Sequence, residues 1–194
     1  MAFLAGLGLG GATAGLAQAA PDTAKGAVRA VDFVDLTRYA GRWYEVARFP
    51  NRFQRRCACE TTAEYELLAN GQMRVINSCR QADGRLARVE GRARAARADG
   101  PASELKVRFA PAFLSFLSIV WADYWILDVT PEYDAALVGT PTRELLWILS
   151  RTPAMADSTY QRMVDTARAQ GFDVKRLTPS MEQEACPRPA DPPP

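Results

Sequence analysis

The sequence predicts an all-β domain: eight antiparallel strands in up-and-down order, closed into a barrel, with one C-terminal α-helix packed on the outside. Three observations carry this expectation. Eight short segments rich in β-branched and aromatic residues follow one another, separated by turns of Gly, Pro, Asn and Asp. Several of them alternate apolar and charged residues with period two, as a sheet does when one face is solvated. A later segment, from Asp157 to about Gln170, instead spaces Tyr160, Met163, Val164 and Ala167 as one helical stripe. Eight strands with short links is the count of a small closed barrel.

Composition narrows the chemistry. The 194 residues suffice for one domain with its own core. The 24 Lys and Arg against 22 Asp and Glu leave a net charge of +2, so nothing points to nucleic acid as a partner. There is no histidine. That removes Ser-His-Asp and Cys-His catalysis, His-ligated haem and most zinc sites, so no metal or cofactor is expected. Cys57, Cys59, Cys79 and Cys186 suit two disulfides in an oxidising compartment, with the connectivity left open.

Residues 1–20 are expected to be a signal peptide. Phe3 to Leu16 is apolar and uncharged, and Ala17-Gln18-Ala19 is an A-x-A cleavage pattern. No Lys or Arg precedes the apolar run, so a basic start is missing; the competing reading is an N-terminal membrane anchor or a buried helix. No cysteine lies near the cleavage point, so a lipid anchor is not supported. Residues 21–30 read as a mobile linker, and residues 31–178 as the barrel with its helix. Residues 179–194 read as a Pro-rich tail held down by Cys186.

In chain order, Val31 to Tyr39 covers the base with a short helical turn, and the first strand runs from Arg42 to Phe49. Pro50 to Arg56 is a loop at the mouth, with Phe53 among three arginines. It covers a ligand, touches anionic headgroups, or is merely solvated. Thr61–Leu68 and Gln72–Ser78 form a hairpin across Asn70-Gly71, whose residues accept the positive φ of a tight turn. A second turn at Asp83-Gly84 leads into Arg85–Arg97, where Ala87, Val89, Gly91, Ala93 and Ala95 alternate with charges. Leu105, Val107 and Phe109 continue the pattern. Pro111 to Trp121 is then apolar and uncharged, which suits a buried segment, a hydrophobic lip at the mouth, or a homodimer contact. Strands at Asp123–Val129, Ala135–Gly139 and Leu145–Ser150 complete the eight. Asp157-Ser158 can cap the helix and Gly171 can end it, and a short strand is expected at Asp173–Arg176.

The first and last strands of a closed barrel are neighbours. Arg151, just past the last strand, can then lie over the Trp43 indole, a cation–π contact of about 1 kcal/mol. Gly41 opens the strand that carries Trp43.

Three segments carry a resemblance. Gly41-Arg42-Trp43-Tyr44-Glu45, then Asp123-Tyr124-Trp125-Ile126-Leu127, then Leu146-Trp147-Ile148-Leu149-Ser150-Arg151-Thr152-Pro153 resemble the three conserved regions of lipocalins. The match is to the branch of bacterial outer-membrane lipocalins and apolipoprotein D, and it covers roughly Phe33 to Arg176. It implies an eight-stranded calyx that binds lipids, in this branch fatty acids or lysophospholipids. It also implies export to the periplasm or cell envelope, with outer-membrane association and peripheral membrane contact open. By analogy with apolipoprotein D, Cys186 pairs with Cys57 or Cys59, and Cys79 takes the other.

If Trp43 points inward, parity places Ala47, Tyr65, Met73, Val75, Val89, Leu105, Val107, Phe109, Trp125, Leu127, Trp147 and Leu149 inside. The lining is apolar, so an acyl chain is a natural guest. Tyr65, Val89, Val107, Phe109, Trp121, Trp125, Leu127 and Trp147 are the expected ligand wall. Burial at about 0.8 kcal/mol per CH2 offers a long acyl chain roughly 12 kcal/mol gross, and ordering costs take several of these. Arg52, Arg55 and Arg56 are candidates to meet the headgroup. The competing class is an enzyme of the same fold, with a free thiol as nucleophile and Glu45 or Asp123 as acid. The absence of histidine argues against it, and no enzymatic activity is expected.

Overall fold

A computed structural model describes residues 26–180 and Cys186. The predicted signal peptide, most of the linker and most of the tail lie outside these residues. The barrel runs β1 (Gly41–Arg48), β2 (Cys57–Leu67), β3 (Met73–Gln81), β4 (Leu86–Ala95), β5 (Glu104–Arg108), β6 (Ala122–Val129), β7 (Ala135–Gly139) and β8 (Leu146–Ser150). Every neighbour in this series pairs antiparallel, and β1 pairs with both β8 and β2, which closes the cylinder. The expected barrel is present, with a ninth strand added.

One end of the cylinder is capped by α1 (Leu36–Tyr39). Asp35 starts it by accepting hydrogen bonds from the Thr37 and Arg38 amides. The opposite end carries the long loops, Phe49–Arg56 between β1 and β2 and Phe109–Trp121 between β5 and β6. Apolar side chains sort into two clusters. Trp43, Tyr65, Met73, Val75, Leu105, Val107, Ile126, Val138 and Leu149 meet inside the barrel. Phe49, Leu137, Leu146, Ile148 and Phe172 meet on the outside against Met163, Val164 and Ala167 of α2 (Asp157–Ala169). The helix stripe therefore packs on the barrel wall as its spacing predicts.

Three details differ from the sequence expectation. The last linker residues are packed: Val28 is buried in the outer cluster and the Arg29 amide donates to Gln170. No side chain of Asp157 or Ser158 caps α2, whose N-cap position is Ala156. The segment expected as a strand at Asp173–Arg176 contains a 3-10 turn, Val174–Arg176, and the strand follows it as β9 (Thr178–Pro179).

β9 occupies a particular place. β2 pairs with β1 only along Gly41–Tyr44. Beyond that point β9 takes over the same edge, opposite Ala47 and Arg48. The Ser180 amide extends the pairing to the Val46 carbonyl. Cys59 of β2 is bonded to Cys186, and Cys57 to Cys79 across the β2–β3 ladder, one of the two pairings the resemblance allows.

Candidate ligand-binding site

The floor is built around Trp43, which is fully buried. Its indole N–H donates to the Tyr39 carbonyl, and the Arg151 guanidinium lies 3.9 Å from the ring centroid. The same guanidinium donates to the carbonyls of Arg38, Tyr39, Ala40, Arg42 and Tyr133. One arginine thus ties α1, the start of β1 and the β6–β7 turn together, meeting carbonyls that the short helix leaves unpaired. Burial pulls its pKa down from the usual guanidinium value, with Tyr39 opposing. Gly41 sits here at φ +96°, and a Cβ on it would stand 3.2 Å from Arg151 Nη1. Glycine is needed both for the backbone angle and for the approach of the arginine.

Above the floor three tyrosines share hydrogen bonds. The Tyr124 hydroxyl lies 2.8 Å from that of Tyr39 and 2.7 Å from that of Tyr65. Desolvation raises all three phenol pKa values. Three O–H groups make two bonds among themselves, so one proton of the triad is left without an acceptor among the described residues. A second unspent group is Asn77 Oδ1, buried without a partner on the inward side of β3.

Toward the open end the wall stays apolar but becomes accessible. Val89 lies opposite Asn77 and on the face of Gly91 and Ala93, which points inward with Val75 and Met73; it is nevertheless 46% exposed. Phe109 is 40% exposed, and its ring lies against Gly91, where a Cβ would stand 2.6 Å from the ring. One side of the mouth is polar. The Glu45 carboxylate accepts from Arg48, Gln54 and Ser180, and Gln54 Oε1 accepts the Trp147 indole N–H at 3.0 Å. Gln54 belongs to the β1–β2 loop, so that loop is anchored over the inner wall. A separate groove of roughly 530 Å³ lies among β1, β2, β9 and the start of α2, lined by Glu60, Thr62, Met155 and Tyr160.

The predicted wall residues divide. Tyr65, Val107, Phe109, Val89 and Trp147 lie on the inner side. Trp125 and Leu127 do not: they pack in the outer cluster beneath α2. The inward residues of β6 are Tyr124 and Ile126. Every residue from Tyr124 to Leu127 is apolar or aromatic, so period two has no phase to read there. A bulge after Ile126 then turns Leu127 and Asp128 to the same outer side, where Asp128 meets Arg162 of α2. Ala47 is displaced likewise, because a bulge between Glu45 and Ala47 reverses parity. Trp121 is also on the outer face, its ring stacked under the guanidinium of Arg94 at 4.2 Å and near that of Arg108 at 5.3 Å. The tyrosine triad and the Glu45–Gln54 network were missed; the first is hidden by the β6 phase and the second depends on the β1 bulge.

Comparison with known proteins gives the same picture. A Lipocalin-like domain profile matches residues 34–182. The chain is 37% identical over 166 residues to temperature-induced lipocalin-1 of Arabidopsis thaliana, covering 85% of this chain and 88% of that one. It is 39% identical over 151 residues to the outer membrane lipoprotein Blc of Escherichia coli K12, covering 77% and 80%. Insecticyanin from the tobacco hornworm Manduca sexta superposes with a TM-score of 0.62 at 20% identity, covering 83% and 88%, a likeness of fold. With the closed barrel, the outer helix and the Trp43–Arg151 floor, these matches place the chain in the lipocalin family, whose members bind small hydrophobic ligands.

Proposed function

We propose that this chain binds one acyl-chain lipid, a fatty acid or lysophospholipid, in the barrel, and carries or stores it in the cell envelope after export. The observation that carries the reading is the inner wall at the open end: Val89 and Phe109 face inward, yet 46% and 40% of their surfaces reach solvent. Inward apolar side chains in contact with water favour a hydrophobic guest that covers them. The acyl chain lies along Val89, Phe109, Val107 and Trp147. The headgroup stays at the mouth, near Arg48 and the exposed Arg52, Arg55 and Arg56.

Binding is favoured over catalysis because all four cysteines are in disulfides, which removes the nucleophilic thiol the enzyme reading requires. Those disulfides suit an oxidising compartment, and a relative at 39% identity is named an outer membrane lipoprotein. Together they support an envelope location.

Native mass spectrometry of the secreted protein, followed by organic extraction, tests the reading. A co-purified fatty acid or lysophospholipid that is lost in Val89→Trp is the expected result. Protein that is empty, and whose tryptophan fluorescence does not respond to added fatty acid, overturns it.

A further inference from the structure

The loop between β5 and β6 presents large apolar side chains to solvent: Phe113 is 74% exposed, Phe116 79% and Ile119 90%. From Phe109 to Trp121 it contains no charged residue. This is a built surface. Two 3-10 turns, Ala112–Leu114 and Ser118–Val120, give it internal backbone bonds: the amides of Leu114, Leu117, Val120 and Trp121 donate to the carbonyls of Pro111, Leu114, Leu117 and Ser118. Trp121 donates its indole N–H to the Ser115 carbonyl and is held between Arg94 and Arg108. Arg108 in turn donates to the carbonyls of Ala110 and Pro111. The anchors point at the barrel and the phenylalanines away from it.

The other long loop at the same end adds Phe53, 64% exposed, beside the exposed Arg52, Arg55 and Arg56. No acidic residue lies between Phe49 and Cys57, and these three arginines pair with no carboxylate among the described residues. One end of the barrel thus combines exposed aromatic and aliphatic side chains, a loop folded on itself by two 3-10 turns, and cations unpaired among the described residues.

We infer that the open end docks on a bilayer surface bearing anionic lipid, with Phe113, Phe116 and Ile119 entering the interface and Arg52, Arg55 and Arg56 meeting the headgroups. Aromatic residues suit the interfacial zone. The four amides bonded within the loop lower the cost of bringing its backbone to the interface, where water still reaches the others. Arginines near an anionic surface add attraction that salt screens. Docking sets the mouth of the barrel against the membrane, so a lipid enters or leaves without crossing water. The inference does not rest on which ligand the barrel holds.

The test is sedimentation of the full chain with phosphatidylcholine vesicles, with and without phosphatidylglycerol. Expected is binding that needs phosphatidylglycerol and weakens with salt. Arg52→Gln/Arg55→Gln/Arg56→Gln weakens it by roughly tenfold or more, and Phe116→Ser/Ile119→Ser weakens binding to the phosphatidylglycerol vesicles at low and high salt alike. Melting temperature and ligand affinity in vesicle-free buffer are read on the same variants. Wild-type protein that stays in solution with both vesicle types overturns the inference. So does a dimer in light scattering that dissociates in Phe116→Ser/Ile119→Ser, because that assigns the patch to a second copy of the chain.

Discussion

Arg151 is half-buried and serves five backbone carbonyls and one indole face. Lysine has one compact charge and cannot span that set. Arg151→Lys is expected to cost about 2–4 kcal/mol, read as a lower melting temperature. Gly41→Ala should destabilise for a different reason, since its φ of +96° and the nearby Arg151 both exclude a Cβ. This arrangement was legible in the sequence, because a Gly-x-Trp at one barrel seam and an arginine at the other need only closure to meet. The tyrosine triad was not. Its members come from α1, β2 and β6, and nothing in their spacing links them. Its signature is alkaline. The fold keeps these phenols protonated where the unfolded chain, with ordinary values of about 10, releases its protons. Stability is therefore intact below that pH and falls as pH rises past it. Phenolate absorbance should show these tyrosines ionising only with the unfolding transition, and Tyr124→Phe should shrink that step.

At the scale of the element, the strands were legible wherever charge marked one face. β4 and β5 alternate, and their inward residues follow directly. β6 is apolar throughout its middle, so its phase is set by pairing with β5 and β7 and by a bulge, which are tertiary facts. The consequence is measurable through the tryptophans. Trp147 faces the barrel interior and Trp125 the helix, so if the interior takes the lipid as proposed, Trp147→Phe should remove most of the fluorescence change on its binding. Trp125→Phe should leave it in place. Met163→Ala should separate stability from binding in the same way. This buried methionine packs in the outer cluster, so its loss is expected to cost about 2–4 kcal/mol with the ligand affinity unchanged.

The whole molecule closes in two stages. The up-and-down order and the outer helix follow from counting segments, but the seam does not. A two-residue strand containing a proline has no periodicity to detect, and it matters because β2 leaves β1 after Tyr44. Removing the Cys59–Cys186 bond, in Cys59→Ser/Cys186→Ser, is expected to cost about 2–4 kcal/mol. Hydrogen exchange should quicken first at Ser180, whose amide bonds the Val46 carbonyl. The order of synthesis adds a constraint. All eight main strands can pair once Ser150 is free, yet the half of the seam nearest the mouth stays open until β9 arrives, and is locked only when residue 186 meets residue 59. A chain not yet complete to residue 186 therefore has a barrel with one side ajar, which only its last segment shuts.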